Sequence, residues 1–112
     1  MNTSPMAKMY EVFTVKKFKA SVVDEKGYDI SRGYILINER PGIGDRVGII
    51  EDIWTDENHR RKGLASEVVQ TLIDIGQDHK VYKIVLDCAD HNVHFYEKFG
   101  FHKWQNSMRK DF

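Results

Sequence analysis

Apolar and polar positions change period once along the chain, near Gly63. Before it the apolar residues come in short runs rich in β-branched and aromatic types, which predict strands at residues 10–15 (YEVFTV), 18–23, 34–38 (YILIN) and 47–54. Only Lys16-Lys17 parts the first two runs. Asp24-Glu25-Lys26-Gly27 has turn composition, and residues 40–45, with Pro41, Gly42 and Gly44, read as a loop. Such short connections favour antiparallel neighbours. After Gly63, Leu64, Ala65, Val68, Val69, Leu72, Ile73 and Ile75 recur at helical spacing, with Glu67, Gln70, Thr71 and Asp74 mostly on the other face. Residues 81–86 (VYKIVL) predict a strand parallel to the one before the helix, because a β-α-β unit joins them. A short helix over residues 92–99 follows, with Asp90 as N-cap and Gly100 at C′, and then a last strand from residue 101 to about 110. Residues 1–8 read as a flexible tail, so residues 9–112 are expected to form one α/β domain.

The stretch EDIWTDENHRRKGLA, residues 51–65, joins the two regimes. It ends a strand, turns through Asp56-Glu57-Asn58, and enters the helix through Arg60-Arg61-Lys62-Gly63-Leu64-Ala65. Gly63 can take positive φ, and the first N–H groups of a helix point outward with the positive end of its dipole. Three adjacent cations add attraction, so a pyrophosphate fits there. The pattern by itself fits a basic helix start with nothing bound equally well.

Composition narrows the partners. Seventeen basic residues balance seventeen acidic ones, which argues against a nucleic-acid binder that relies on net charge. With one cysteine, Cys88, no internal disulfide can form, and the expected location is cytoplasmic. No apolar run approaches the length of a membrane span, and none resembles a signal peptide core.

Several blocks in register change the weight of the central stretch. They are Val47-Gly48, Ile50-Glu51-Asp52-Ile53, residues 60–65, Tyr82-Lys83-Ile84, Leu86-Asp87-Cys88, Asn92-Val93, residues 95–101 (FYEKFGF) and Met108. Over roughly residues 46 to 110 the chain resembles the GNAT superfamily of acetyl-CoA-dependent N-acetyltransferases, and within it the enzymes that acetylate glucosamine 6-phosphate. The resemblance implies a mixed α/β (α+β) sheet of antiparallel strands followed by β-α-β-α-β. The helix pair that such proteins place between their first two strands is reduced or absent here, since only two lysines separate the runs.

The resemblance also implies roles. Acetyl-CoA would be the co-substrate, held by backbone groups of Ile53, Trp54 and Thr55 along the pantetheine arm and by Arg61, Lys62, Gly63, Leu64, Ala65 and Ser66 at the pyrophosphate, with Tyr96, Glu97 and Lys98 beside it. A splay between the strands on either side of the helix would free those backbone groups. Tyr96 is the candidate acid for the departing thiolate, although a packed core tyrosine is the ordinary alternative. Glu51 and Asp87 are the candidate carboxylates for the amine, and both fall in or at the end of apolar strands, where an unpaired charge is costly. The resemblance also places Asp52, Ile53, Tyr82 and Lys83 at acceptor positions, the last two acting across a homodimer interface. The resemblance supplies an arginine three residues after the position of Met108, where this chain has Asp111. Cys88 reads as a buried structural thiol. Asp87, Cys88, Asp90, His91 and His94 cluster in sequence but match no metal cage spacing, so no metal is expected. Another amine acceptor (a polyamine, an amino acid or a protein lysine) and a non-catalytic CoA-binding module are the alternative functions.

Overall fold

A computed structural model describes residues 6–38 and 46–112. Four strands form one sheet in chain order: β1 (Lys16–Val23), β2 (Asp29–Asn38), β3 (Arg46–Thr55) and β4 (Val81–Val85). β1, β2 and β3 are antiparallel neighbours, while β4 lies parallel to β3. The parallel pair is joined by α1 (Leu64–Asp78), as a crossover connection requires. A short helix, α2 (Val93–Glu97), follows β4, and single 3-10 turns lie at Glu57–His59 and Asp90–Asn92.

The core is the layer between α1 and one face of the sheet. Val68, Val69 and Leu72 are fully buried, as are Ile35 and Ile37 of β2, and Ile50 of β3 nearly so. Burying each such side chain stabilises the fold by roughly 1.5–3 kcal/mol. All four residues predicted for the polar face of α1 are exposed. The helix sits close to the sheet because Gly33 has no side chain. A Cβ there would collide with Ile53 and come within 3.1 Å of Leu72 and 3.2 Å of Val68. Arg46 Nη1 donates to His79 O at 3.0 Å, tying the start of β3 to the end of α1.

The outer elements differ from expectation. Residues 10–15 form no strand and are exposed, and Lys16 and Lys17 open β1 rather than breaking a pair of strands. A run rich in β-forming residues makes a strand only where a partner edge is available, and here none lies against it among the described residues. Likewise the expected final strand from residue 101 to 110 is absent, and residues 102–112 are irregular and exposed. Asp90 lies inside the 3-10 turn and Ala89 occupies its N-cap, without a side-chain cap. Gly100 falls beyond the C′ position of α2 but takes φ 92°, the left-handed conformation that ends the helix. No helix precedes β1 among the described residues. The expected loop at residues 40–45 lies outside the described residues, as do residues 1–5 of the expected tail.

Candidate functional site

β3 and β4 pair from Arg46↔Val81 to Ile49↔Val85 and then part, while β3 runs on to Thr55 against β2 alone. The splay leaves a cleft of about 250 Å³. Ile50, Glu51, Asp52 and Ile53 form one wall; Leu86, Asp87, Cys88 and Ala89, in the segment after β4, form the other; Asn92 and Tyr96 complete it. A β-bulge bends β3 at this point. From Tyr34↔Glu51 to Arg32↔Trp54, β3 advances three residues while β2 advances two. Asp52 takes up the extra residue at φ 56°, a conformation that aspartate tolerates better than most side chains. Arg32 donates to the Asp52 carbonyl and lies over the rings of Tyr34 and Trp54, at 5.7 Å and 5.4 Å. Sequence patterning gave no sign of Arg32, because its contact is twenty residues away.

The backbone beyond the bulge is only partly free. Trp54 O accepts from Ser31 Oγ at 3.1 Å, and Asp56 N–H donates to Ile30 O at 2.8 Å, so these positions face β2. Alternation then turns the backbone groups of Ile53 and Thr55 toward the splayed edge. Of the three residues expected along a pantetheine arm, Ile53 and Thr55 thus turn their backbone groups to the splayed edge, and Trp54 turns its own to β2. The Thr55 side chain meets Ser31 Oγ at 2.9 Å.

At the C-terminal end of the same strand, α1 begins with an open N-terminus. Gly63 is its N-cap at φ 75°, with no side-chain cap and open space where a Cβ would stand. Arg61 also has positive φ, 64°. Glu67 N–H donates to Gly63 O, so the N–H groups of Leu64, Ala65 and Ser66 precede the helix ladder and point outward. Arg60, Arg61 and Lys62 are exposed around them. The open helix start and its cations suit an anion, and the residues fit the pyrophosphate expected there. Asp56 fixes the approach. Its carboxylate accepts from His59 Nδ1 at 2.8 Å and Asn58 N–H at 3.2 Å. The bond to His59, aided by Asn58 and by the His59 and Arg60 charges, holds the Asp56 carboxyl below its usual range.

Tyr96 closes the cleft. It is 8% exposed, with Phe95 and Phe101 edge-on at 5.0 Å and 6.0 Å. Burial, and secondarily the Cys88 thiol, push its phenol above the ordinary value. No described residue hydrogen-bonds its hydroxyl. Cys88 is exposed in the cleft, not the buried thiol that its apolar strand suggested. Nor are the two carboxylates buried. Glu51 is half-exposed with Lys17 Nζ 3.2 Å away, and Asp87 is exposed because β4 ends two residues before it.

The cleft thus brings together Glu51, Asp52, Ile53, Asp87 and Tyr96 of the expected site residues, and adds Cys88 and Asn92. Tyr82, Lys83, Glu97 and Lys98 do not line it. Lys83 Nζ lies over Trp104 at 3.9 Å and Tyr82 at 5.3 Å, and Glu97 pairs with His94 at 3.0 Å. Among the described residues no three His, Cys, Asp or Glu side chains converge as a metal cage, and no helix is long and apolar enough to cross a membrane.

Known proteins share this arrangement. The model of the acetyltransferase (GNAT) family matches residues 9–101. Glucosamine 6-phosphate N-acetyltransferase of Trypanosoma brucei brucei is 37% identical over 68 residues, 61% of this chain and 46% of that protein. The Schizosaccharomyces pombe protein of the same name is 40% identical over 63 residues, 56% of this chain and 57% of that one. This chain therefore spans about half the length of the curated relatives it matches. The crystal structure of glucosamine-6-phosphate N-acetyltransferase from Arabidopsis thaliana superposes with TM-score 0.79 at 31% identity, covering 86% of this chain and 67% of that one. With the family model matched over residues 9–101 and the fold shared with a solved structure at TM-score 0.79, the chain belongs to the acetyltransferase (GNAT) family.

Proposed function

We propose that the protein is an acetyl-CoA-dependent N-acetyltransferase that passes an acetyl group directly to a primary amine, with an amino sugar phosphate such as glucosamine 6-phosphate as acceptor. The observation that carries this reading is the cleft at the β3–β4 splay, where Tyr96, a largely buried residue whose hydroxyl no described residue hydrogen-bonds, shares the lining with Glu51, Asp52 and Asp87. The pyrophosphate of acetyl-CoA would rest on residues 61–66, and its pantetheine arm along Ile53 and Thr55. The neutral amine, held by Glu51 and Asp87, attacks the thioester carbonyl and forms the C–N bond; the C–S bond breaks, the thiolate takes the Tyr96 proton, and the proton lost by the nitrogen passes to the cleft carboxylates and solvent, from which Tyr96 is reprotonated. Relatives named for glucosamine 6-phosphate support the acceptor class. We further propose a homodimer acting in the cytoplasm, with Tyr82 and Lys83 serving the partner's acceptor site. Exposed Tyr82, Trp104 and Met108 support association.

A second reading, a CoA-binding module without catalysis, is favoured by the absence of any helix before β1 among the described residues. Thiol release from acetyl-CoA, measured against a panel of amino sugars, polyamines and amino acids, separates the two. Turnover with an amino sugar phosphate supports the proposal, and turnover only with another amine replaces the acceptor. CoA binding without turnover on any amine establishes the module.

A further inference from the structure

Cys88 is the one cysteine of the chain, and its thiol is exposed. It lies in the segment after β4, where no strand ladder holds the backbone, and it lines the cleft at the β3–β4 splay. The proposed acetyl transfer gives this thiol no part. Tyr96 lines the same cleft, is 8% exposed, and has no hydrogen-bond partner for its hydroxyl among the described residues. A polar group buried to that degree and open only to a cleft is left for a ligand. Cys88 is its neighbour, since the ionised thiol pushes the phenol up. In the proposed reaction the Tyr96 hydroxyl meets the sulfur of CoA. The same step brings that sulfur beside Cys88, within a cleft of about 250 Å³.

We propose that Cys88 is a modification site for CoA itself: it forms a mixed disulfide with the CoA sulfur, and this adduct shuts the cleft to acetyl-CoA. The reactant is CoA disulfide. Its nucleotide end rests on residues 61–66, as that of acetyl-CoA would. Its arm along Ile53 and Thr55 carries the S–S bond to the wall formed by Ile50, Glu51, Asp52 and Ile53, across from Cys88. The Cys88 thiolate attacks the nearer sulfur. A Cys88–CoA S–S bond forms, the CoA–CoA S–S bond breaks, and the departing CoA thiolate takes the proton that Cys88 gave up. One disulfide is consumed and one is made, so no further oxidant enters. Binding of the nucleotide end holds the disulfide at an effective concentration in about the millimolar range. Attack by another thiol reverses the step and reopens the cleft, so acetyl transfer follows the ratio of CoA disulfide to CoA. The inference rests on the cofactor reading above and is independent of which amine accepts.

The test is intact mass spectrometry of the full chain after mixing with CoA disulfide at micromolar concentration. Glutathione disulfide at the same concentration is the comparison, since it carries the S–S bond without the nucleotide. With one cysteine in the chain, an added CoA can sit only at Cys88. The adduct should form at least ~10-fold faster with CoA disulfide than with glutathione disulfide. Excess acetyl-CoA should slow it, and dithiothreitol should remove it. Gly63→Asp should bring the rate down toward that of glutathione disulfide, with circular dichroism to check the fold; protection by acetyl-CoA tests the same point without a variant. Acetyl transfer should fall in proportion to the adduct, while Cys88→Ser should keep its own untreated rate in CoA disulfide. Equal rates with the two disulfides, or no slowing by acetyl-CoA, would mean that the cleft does not direct the reaction and would overturn the proposal. An adduct that leaves acetyl transfer intact would overturn it too. A directed adduct in a protein that acetylates no amine upholds the site and removes the catalytic reading, and turnover without any adduct does the reverse.

Discussion

At Tyr96, burial serves packing and, in the proposed reaction, chemistry together. Its ring fills the space between Phe95 and Phe101, while its hydroxyl has no described protein partner and is left for a ligand. Tyr96→Phe should therefore leave stability within roughly 1 kcal/mol of wild type and CoA affinity little changed. Its kcat at saturating acetyl-CoA should fall by ~100-fold or more. Equal kcat would remove Tyr96 from the chemistry. Because burial raises this pKa, the neutral donor persists as pH rises, and any loss of kcat from Tyr96 ionisation should begin only above about pH 10. Asp56 has the opposite sign. Its folded pKa is depressed, so the charged carboxylate adds stability above its unfolded value, and that stability is lost as pH falls through the folded one. Thermal melts of Asp56→Asn should show a lower Tm than wild type at pH 7, with the gap closing as pH falls through the depressed folded pKa. A gap that persists in acid would mean that the charge is not its source.

Among the elements, β3 and α1 divide the work that the proposed cofactor site requires. The bulge at Asp52 and the end of β4 pairing at Val85 open the sheet, while Gly63 at positive φ leaves the start of α1 uncapped. A side chain at Gly63 meets no neighbour, but it would be strained at this φ and would stand among the outward N–H groups. Gly63→Asp also adds a negative charge to an anion site. Calorimetry should show CoA affinity falling by at least ~10-fold, equivalent to ~1.4 kcal/mol, in a variant that still folds. Unchanged affinity would move the pyrophosphate elsewhere.

At the scale of the molecule, the proposed cofactor side is fuller than the proposed acceptor side. No described helix precedes β1, and the C-terminal segment that was expected to return as a strand stays exposed. Arg109, two residues before the position where relatives are expected to carry arginine, is paired with Asp111 at 2.7 Å. A sugar phosphate needs charge-assisted partners, and this pair both occupies the arginine and adds a repelling carboxylate. The expected outcome is a weak preference for the phosphorylated sugar, within ~10-fold in kcat/KM of glucosamine 6-phosphate over glucosamine. A preference of several hundred-fold would require a phosphate site outside this segment.

The helix α1, the turn before it and the parallel β-α-β unit were legible in the residues themselves, because a 3.6-residue apolar period and a Gly-led basic turn are local signals. The order of antiparallel strands was legible too, from short connections and β-branched runs. Strands at the margins were not, since residues 10–15 and 101–110 have strand composition, but a strand exists only where another edge meets it. The register slip at Asp52, the Arg32 contact that holds it and the exposure of Glu51, Asp87 and Cys88 also escaped sequence reading. Each depends on residues distant in the chain. Local patterning determined which segments are helix or strand around the cleft; only the three-dimensional pairing of β3 with β2, and its release from β4, decided that the cleft opens and which groups face it.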